Sequence, residues 1–188
     1  MIKVQFGSGE NKLDGWENLQ EKDGDITKPL KYADNSVDYI LAEHVVEHVT
    51  PQDAWRFFKE AQRILKSGGV LRVIIPDIMK LSSPTKEYKD LVRGQIEGWW
   101  KAAGIHTWHS GEVTNEDIMK TIIFCHGHKA CWTKLMLGVV LASMGYSIDY
   151  PPYNMSAHKE LIGVDGHWKM MGMDNCIMES SVVEATRR

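Results

Sequence analysis

Cysteine is scarce in this chain, with only Cys125, Cys131 and Cys176 present. An odd count without framework spacing excludes a disulfide scaffold and fits a reducing, cytoplasmic setting. Positive charge is not concentrated anywhere, and the formal net charge is −3 with His neutral. Nucleic acid is therefore not favoured as a partner, because phosphate binding needs gathered Lys and Arg. Long apolar runs are missing too. The longest, around Leu135 to Met144, is too short to span a bilayer. The first residues enter a strand-like segment rather than the charged-then-apolar stretch of a secretory signal, so no membrane is expected. Repeats and low-complexity tracts are absent. What is there is 188 residues with 43% apolar content, enough for a single domain over 1–188 that buries its own core.

Periodicity then divides the chain. Ile2, Val4 and Phe6 alternate and predict a first strand ending at Gly7. Trp16 to Leu19 suits a short second strand, and Val37 to Ala42 a strand buried on both faces. Thr50 is placed to cap a helix, with Pro51 at its first position and Asp53 in its first turn. Trp55, Phe58, Ala61, Ile64 and Leu65 follow at helical spacing, and Gly68 supplies the stop. Val70 to Ile75 is the next strand, closed by Pro76. This density of strands and helices implies parallel pairing and an α/β fold. Ser83-Pro84 opens a second helix carrying Tyr88, Leu91, Val92, Gln95, Ile96 and Trp99. Residues 104–127 read as irregular and rich in Trp and His. A third helix is expected from about Lys129 to Met144, stopping at Gly145. Tyr146, Ile148 and Tyr150 alternate as a strand, and Ser181 to Ala185 form the last one. Between these strands lies a long Met- and Gly-rich loop, its methionines serving as gap fillers or as part of a homo-oligomer interface.

Gly7-Ser8-Gly9 follows the first strand, where glycines permit a tight turn and close approach of a ligand to backbone N–H groups. A dinucleotide fingerprint would place a small residue at position 12, and this chain has Lys12. A pyrophosphate cradle is therefore not expected. The turn belongs to an ordered set: Phe6-Gly7-Ser8-Gly9, Gly15-Trp16-Glu17-Asn18, Gly24 to Leu30, Asp34 to Asp38, Glu43-His44-Val45-Val46-Glu47-His48, Ile64 to Gly69 and Ile75-Pro76-Asp77. His126-Gly127-His128-Lys129, Gly145-Tyr146 and Val182 to Ala185 extend it. In this order and spacing the chain resembles the class I methyltransferases, in particular the small type 11-like S-adenosylmethionine-dependent group. The likeness spans most of the chain outside residues 78–125.

The resemblance implies a Rossmann-like fold, with a mostly parallel sheet and an antiparallel end strand. It also implies S-adenosylmethionine as cofactor and methyl transfer to an acceptor it does not identify. Residues 1–77 would form the cofactor-binding half, 78–128 a variable substrate-side region, and 129–188 the C-terminal helix and strands. Phe6, Gly7, Ser8 and Gly9 would hold the amino-acid end of the cofactor. Gln20 stands where the family grips the ribose with an acidic residue, and a neutral amide makes weaker bonds than a carboxylate. Asp25 and Ile26 match the adenine positions, and Glu43 and His44 would line the reacting centre. Only Glu10 to Gly15 separates the first two strands, too few residues for a full crossover helix. A partner subunit is one way to cover that gap.

His44 and His48 are the candidate bases, because imidazole titrates near neutral pH. His44-x-x-Glu47-His48 also matches an inverted zincin signature, which keeps a zinc hydrolase as an alternative. The helix cap at Thr50 leaves that motif less than a helical turn. Cys125, His126, His128 and Cys131 could be read as a zinc cluster, but they lack the usual two-residue spacing. No metal is expected. Trp99 is expected in the core, while Trp100, His106, Trp108 and His109 are candidates to face an acceptor. A cofactor-binding regulator on the same fold is the remaining alternative.

Overall fold

The computed structural model describes residues 1–102 and 112–188. His106, Trp108 and His109 lie outside the described residues. One sheet organises the rest, built from β1 (Lys3–Phe6), β2 (Glu17–Leu19), β3 (Val37–Glu43), β4 (Leu65–Pro76), β5 (Tyr146–Asp149) and β6 (Ser180–Arg187). The strand order is β2-β1-β3-β4-β6-β5. β2, β1, β3 and β4 are mutually parallel. β6, the last strand of the chain, runs antiparallel to both β4 and β5 and sits one in from the edge. This is the expected α/β sheet. Among the described residues no helix is long and apolar enough to cross a membrane.

Alternation along the strands sorts the core into two faces. Ile40, Ala42, Leu71, Val73, Ile75, Val183 and Ala185 point to one face and are buried with α1 (Pro51–Ile64) and α5 (Lys134–Ser143). Thr50 caps α1 by accepting a hydrogen bond from Asp53 N at 3.2 Å. Phe57 and Phe58 supply the buried aromatics, whereas Trp55 is exposed. The helix stops at Ile64, four residues before Gly68. Leu65 already pairs with Val37 as the start of β4, and Gly68 (φ 78°) serves an irregular turn within that strand.

Leu41, Val70, Ile74 and Val182 point to the other face, and among the described residues no crossover helix covers them. β1 joins β2 through a loop, as the short spacing predicts. The covering comes from the far end of the chain: Tyr153, Leu161, Val164 and Cys176 close over these residues, with Leu13 and Trp16 at the margin. The gap is thus filled from within the chain. The segment read as a loop carries a 3-10 turn (Lys159–Leu161), α6 (Trp168–Met171) and α7 (Met173–Glu179).

Directional contacts pin this segment. Arg72, fully buried on β4, donates to both carboxylate oxygens of Asp165 at 2.7 and 2.5 Å and to Glu184 at 2.5 Å. Its cross-strand partner in the ladder is Glu184 itself. Lys3 pairs with Glu160 at 2.8 Å.

A third cluster lies beyond the carboxyl end of β4. It joins α2 (Ile78–Leu81), α3 (Lys86–Ala102) and α4 (Asn115–Phe124) through Leu81, Tyr88, Val92, Ile96, Ile118 and Ile122. α4 replaces part of the stretch expected to be irregular. Thr114 and Asp117 form a reciprocal capping box at its start. Its apolar face, Ile118 and Ile122, is short and sits among Trp- and His-rich sequence, which hides its period. α5 begins at Lys134 behind the Thr133 cap, later than expected, because residues 126–132 are held against the turn after β3.

Candidate functional site

Two cavities are lined by residues at and after the carboxyl ends of β1, β2 and β3. The larger, about 750 Å³, is lined by Gly7 to Asn11, Glu43, His44, Gly166, His167, Lys169 and Met170. The glycine turn shapes it. Gly7 has φ 65° and Gly9 φ 50°, a region costly for residues with a Cβ. A Cβ at Gly7 would also lie 2.5 Å from a Val45 methyl. Ser8 N donates to the Leu19 carbonyl at 3.0 Å, while the buried Ser8 hydroxyl and the Asn11 amide nitrogen have no partner. These unfilled polar groups beside an open cradle fit the amino-acid end of a bound cofactor.

The second cavity, about 520 Å³, lies under residues 21–32, with Phe6, Leu19, Gly24, Asp25, Leu30 and Tyr32 in its wall. Phe6 is core, edge-on to Phe57. Ile26 is buried behind this wall. Gln20 lies between the two cavities, and its amide donates to the Gly9 carbonyl at 3.2 Å. Asp25 accepts from Thr27 N and Oγ1 and pairs with Lys28. The Thr27 bonds, with Lys28, hold its pKa down to about 2. The wall of this cavity is thus made in part of residues that already have local partners.

Glu43 ends β3, yet its carboxylate serves the late segment. It accepts from Tyr153 Oη at 2.8 Å, Gly166 N at 2.8 Å and His167 N at 3.1 Å. This clamp places His167 over the site. A Cβ at Gly166 would require the Asn11 side chain to move.

His44 follows with φ 51°, where the left-handed backbone breaks the strand pleat. Its Nε2 lies 3.1 Å from Ser180 Oγ and its Nδ1 3.3 Å from Glu47. The His167 ring stacks on it at 4.2 Å. Burial alone would lower the His44 pKa. Glu47, aided by the Glu179 and Glu43 charges, outweighs burial and holds it at about 9. The balance of these neighbours favours the protonated form of His44. His167 is the reverse case: burial, then the charge of His44, pushes it down to about 4. Burial likewise raises Glu179, which accepts from Tyr88 Oη at 2.8 Å.

Beyond this pair a third cavity of about 270 Å³ opens, lined by His44, His48, His126, His128, His167 and Glu179, among others. The structure therefore joins His44 and His48 with three further imidazoles. Nothing in the local sequence ties His167 and Glu179 to the site, since neither lies in a periodic segment. A sheet whose last strand returns between β4 and β5 is the signal that would have brought Glu179 and Ser180 to the carboxyl end of β4. Trp99 is half-buried against His126 at 4.1 Å rather than in the core. Cys125 and Cys131 join no cluster of metal-ligand groups among the described residues.

The sequence comparison bears on the first half. Residues 7–73 match the methyltransferase domain family designated Methyltransf_11. Residues 7–73 thus carry the signature of a methyltransferase domain, on a sheet of the Rossmann-like kind. The fold is similar to an S-adenosylmethionine-dependent methyltransferase from Mesorhizobium loti, at 14% identity and a TM-score of 0.52, covering 99% of this chain and 90% of that one. It is also similar to the YcgJ protein of Bacillus subtilis, at 10% identity and a TM-score of 0.50, covering 100% and 92%. No curated protein matches the chain in sequence. The matched residues hold the glycine turn, the Glu43-to-His48 segment and most of β4. The zinc hydrolase alternative is not favoured. Val46–His48 is a single 3-10 turn, so His44 and His48 do not share the face of an α-helix as that motif requires.

Proposed function

We propose that residues 1–188 act as one methyltransferase domain. In it the cavity under Gly7–Gly9 takes S-adenosylmethionine, and the histidine-lined cavity beside it takes the acceptor. The observation that carries this reading is the turn itself: two left-handed glycines, a buried unpartnered Ser8 hydroxyl and about 750 Å³ of space at the ends of parallel strands. Gly7, Ser8 and Gly9 present backbone and hydroxyl groups to the amino-acid end. Gln20 borders the ribose, Asp25 and Ile26 the adenine, and Phe6 supports the wall. Glu43 acts by holding Gly166 and His167 in place. When bound, the cofactor supplies a methyl group already activated by its sulfonium.

The protein's own part is to align the acceptor and to take a proton where the acceptor must lose one. His44 faces the acceptor as a cation and suits one carrying negative charge or an oxygen lone pair. His167, held neutral, can accept a proton, and His48 lines the same cavity. Three free cysteines support a reducing, cytoplasmic setting for this reaction.

The test is ligand-dependent stability. A ligand that binds only the native state adds RT ln(1 + [L]/Kd), about 2.7 kcal/mol at a hundredfold excess over Kd. S-adenosylhomocysteine is expected to raise Tm and NAD to leave it unchanged. An unchanged Tm with millimolar S-adenosylhomocysteine, and no heat in calorimetry, would overturn the reading.

A further inference from the structure

Glu47 is 1% exposed, and neither of its carboxylate oxygens has a hydrogen-bond partner. His44 Nδ1, 3.3 Å from Oε1, is the one ion-pair partner found for it among the described residues. A buried carboxylate with that single longer contact and no hydrogen bond leaves its remaining lone pairs unsatisfied. Two histidines stand beside it. His48 follows it in the same 3-10 turn. His128 comes from 80 residues away, brought in because Lys129 N and Ala130 N donate to the Glu47 carbonyl at 2.8 and 3.1 Å. His128 Nδ1 lies 2.7 Å from the Ile122 carbonyl. A carbonyl can only accept, so Nδ1 carries the hydrogen and Nε2 keeps its lone pair. This is how proteins orient an imidazole toward a metal.

We propose that Glu47, His48 and His128 hold a divalent first-row metal ion of the zinc class, with an open position facing the histidine-lined cavity. One ligand atom from each residue lies within 4.8 Å of the others. Bonds of 2.0–2.2 Å in a tetrahedron put neighbouring ligand atoms about 3.3–3.6 Å apart, so side-chain closure of roughly an ångström completes the set. Two imidazoles and a carboxylate with a free fourth position is a donor set zinc accepts.

His44, His167 and Glu179 form a second grouping of the same size, but His44 Nε2 already meets Ser180 and Glu179 already accepts from Tyr88. Glu47 serves here as a ligand, so the arrangement has no base in the position a hydrolase needs. In the methyltransferase the open position would receive an acceptor oxygen and ease its deprotonation, leaving His167 to take the proton. That orientation rests on the methyl-transfer reading, whereas the ion site does not.

The test is titration of metal-free full-length protein with Zn²⁺ by calorimetry and with Co²⁺ by visible absorption. One ion per chain with submicromolar Kd is expected. Glu47→Gln and His128→Ala should each weaken binding by at least about tenfold, with His48→Gln as the substitute if either fails to fold. Cys131→Ser and His167→Ala should keep wild-type metal affinity, and His128→Ala should keep its affinity for S-adenosylhomocysteine. Absence of stoichiometric binding by the wild type overturns the proposal, as does loss on His167→Ala with His128→Ala unaffected. Metal binding without S-adenosylhomocysteine binding would overturn the methyl-transfer reading and leave the ion site standing.

Discussion

The two faces of the sheet are covered by opposite means. On one, α1 and α5 lay Phe57, Phe58, Ala61, Ile64, Leu137 and Leu141 over alternating strand residues. Each fully buried large side chain there contributes about 1.5–3 kcal/mol without preferring any one contact. On the other, irregular chain from 150 to 179 covers a smaller apolar set and is located by point contacts: Arg72 to Asp165, and Glu43 to Tyr153, Gly166 and His167. Apolar area holds a regular helix in place because the helix is already ordered. A segment that is mostly loop with only short helices has little internal ladder to order it, so directional bonds must. Those same bonds position His167 over the glycine turn, so the less regular face is also the one that forms the cavity.

Leu71 and Arg72 are neighbours on β4 that face opposite sides, so they test this contrast directly. Arg72→Ala leaves Asp165 and Glu184 buried without their cation and should cost about 3–5 kcal/mol in urea unfolding. It should also expose 150–179 to limited proteolysis. Leu71→Ala should cost about 2–5 kcal/mol through its cavity and leave that segment protected. Equal proteolysis in the two variants would dissolve the distinction. Gly7→Ala forces a Cβ into left-handed backbone at about 1–2 kcal/mol, against the Val45 methyl. It should weaken S-adenosylhomocysteine binding in calorimetry more than it lowers Tm would imply. Tyr153→Phe removes one of three donors to Glu43, a loss of about 1.5–3 kcal/mol for a bond to a charged group. Hydrogen exchange should quicken in 150–179 and stay unchanged in β1 and β3.

Thr114→Ala breaks the α4 capping box, at about 1 kcal/mol in urea unfolding, and should leave both faces of the sheet unaltered by hydrogen exchange. The smallest effect is expected at Gln20. A carboxylate would suit a diol better, but Gln20→Glu loses the donor to the Gly9 carbonyl. Cofactor affinity should therefore move by no more than about threefold. A gain of about tenfold or more would show that this side chain leaves Gly9 when ligand arrives.

The strand pattern was legible because period-two alternation and the Thr50-Pro51-Asp53 start are local signals that tertiary contacts reinforce. Leu65 shows the limit: it fits the period of α1, yet pairing with Val37 takes it into β4. α4 went unread although Thr114 and Asp117 carry a cap, since its apolar face amounts to one turn. The glycine turn and the Glu43–His48 segment were recognisable by order and spacing. Their long-range partners were not. Tyr153, Asp165, His167 and Glu179 reach the site through the return of β6, and no spacing in the chain encodes which buried charge each will meet. His44 reads as a base from its free titration range alone, and the Glu47 carboxylate that raises its pKa is a neighbour no spacing weighs against burial.

The loop that joins β1 to β2 without a helix has a consequence for how the chain comes together. Leu41, Val70 and Ile74 must wait for residues 150–179 before their side of the sheet is sheltered. The contacts that shelter it span a large part of the chain, and such separations slow folding because loop closure precedes any gain. During synthesis the amino-terminal half emerges first, with α1 able to dock at once and the opposite surface still bare. Transiently bare apolar surface of this kind favours aggregation, and the Arg72–Asp165 pair is among the contacts that close it.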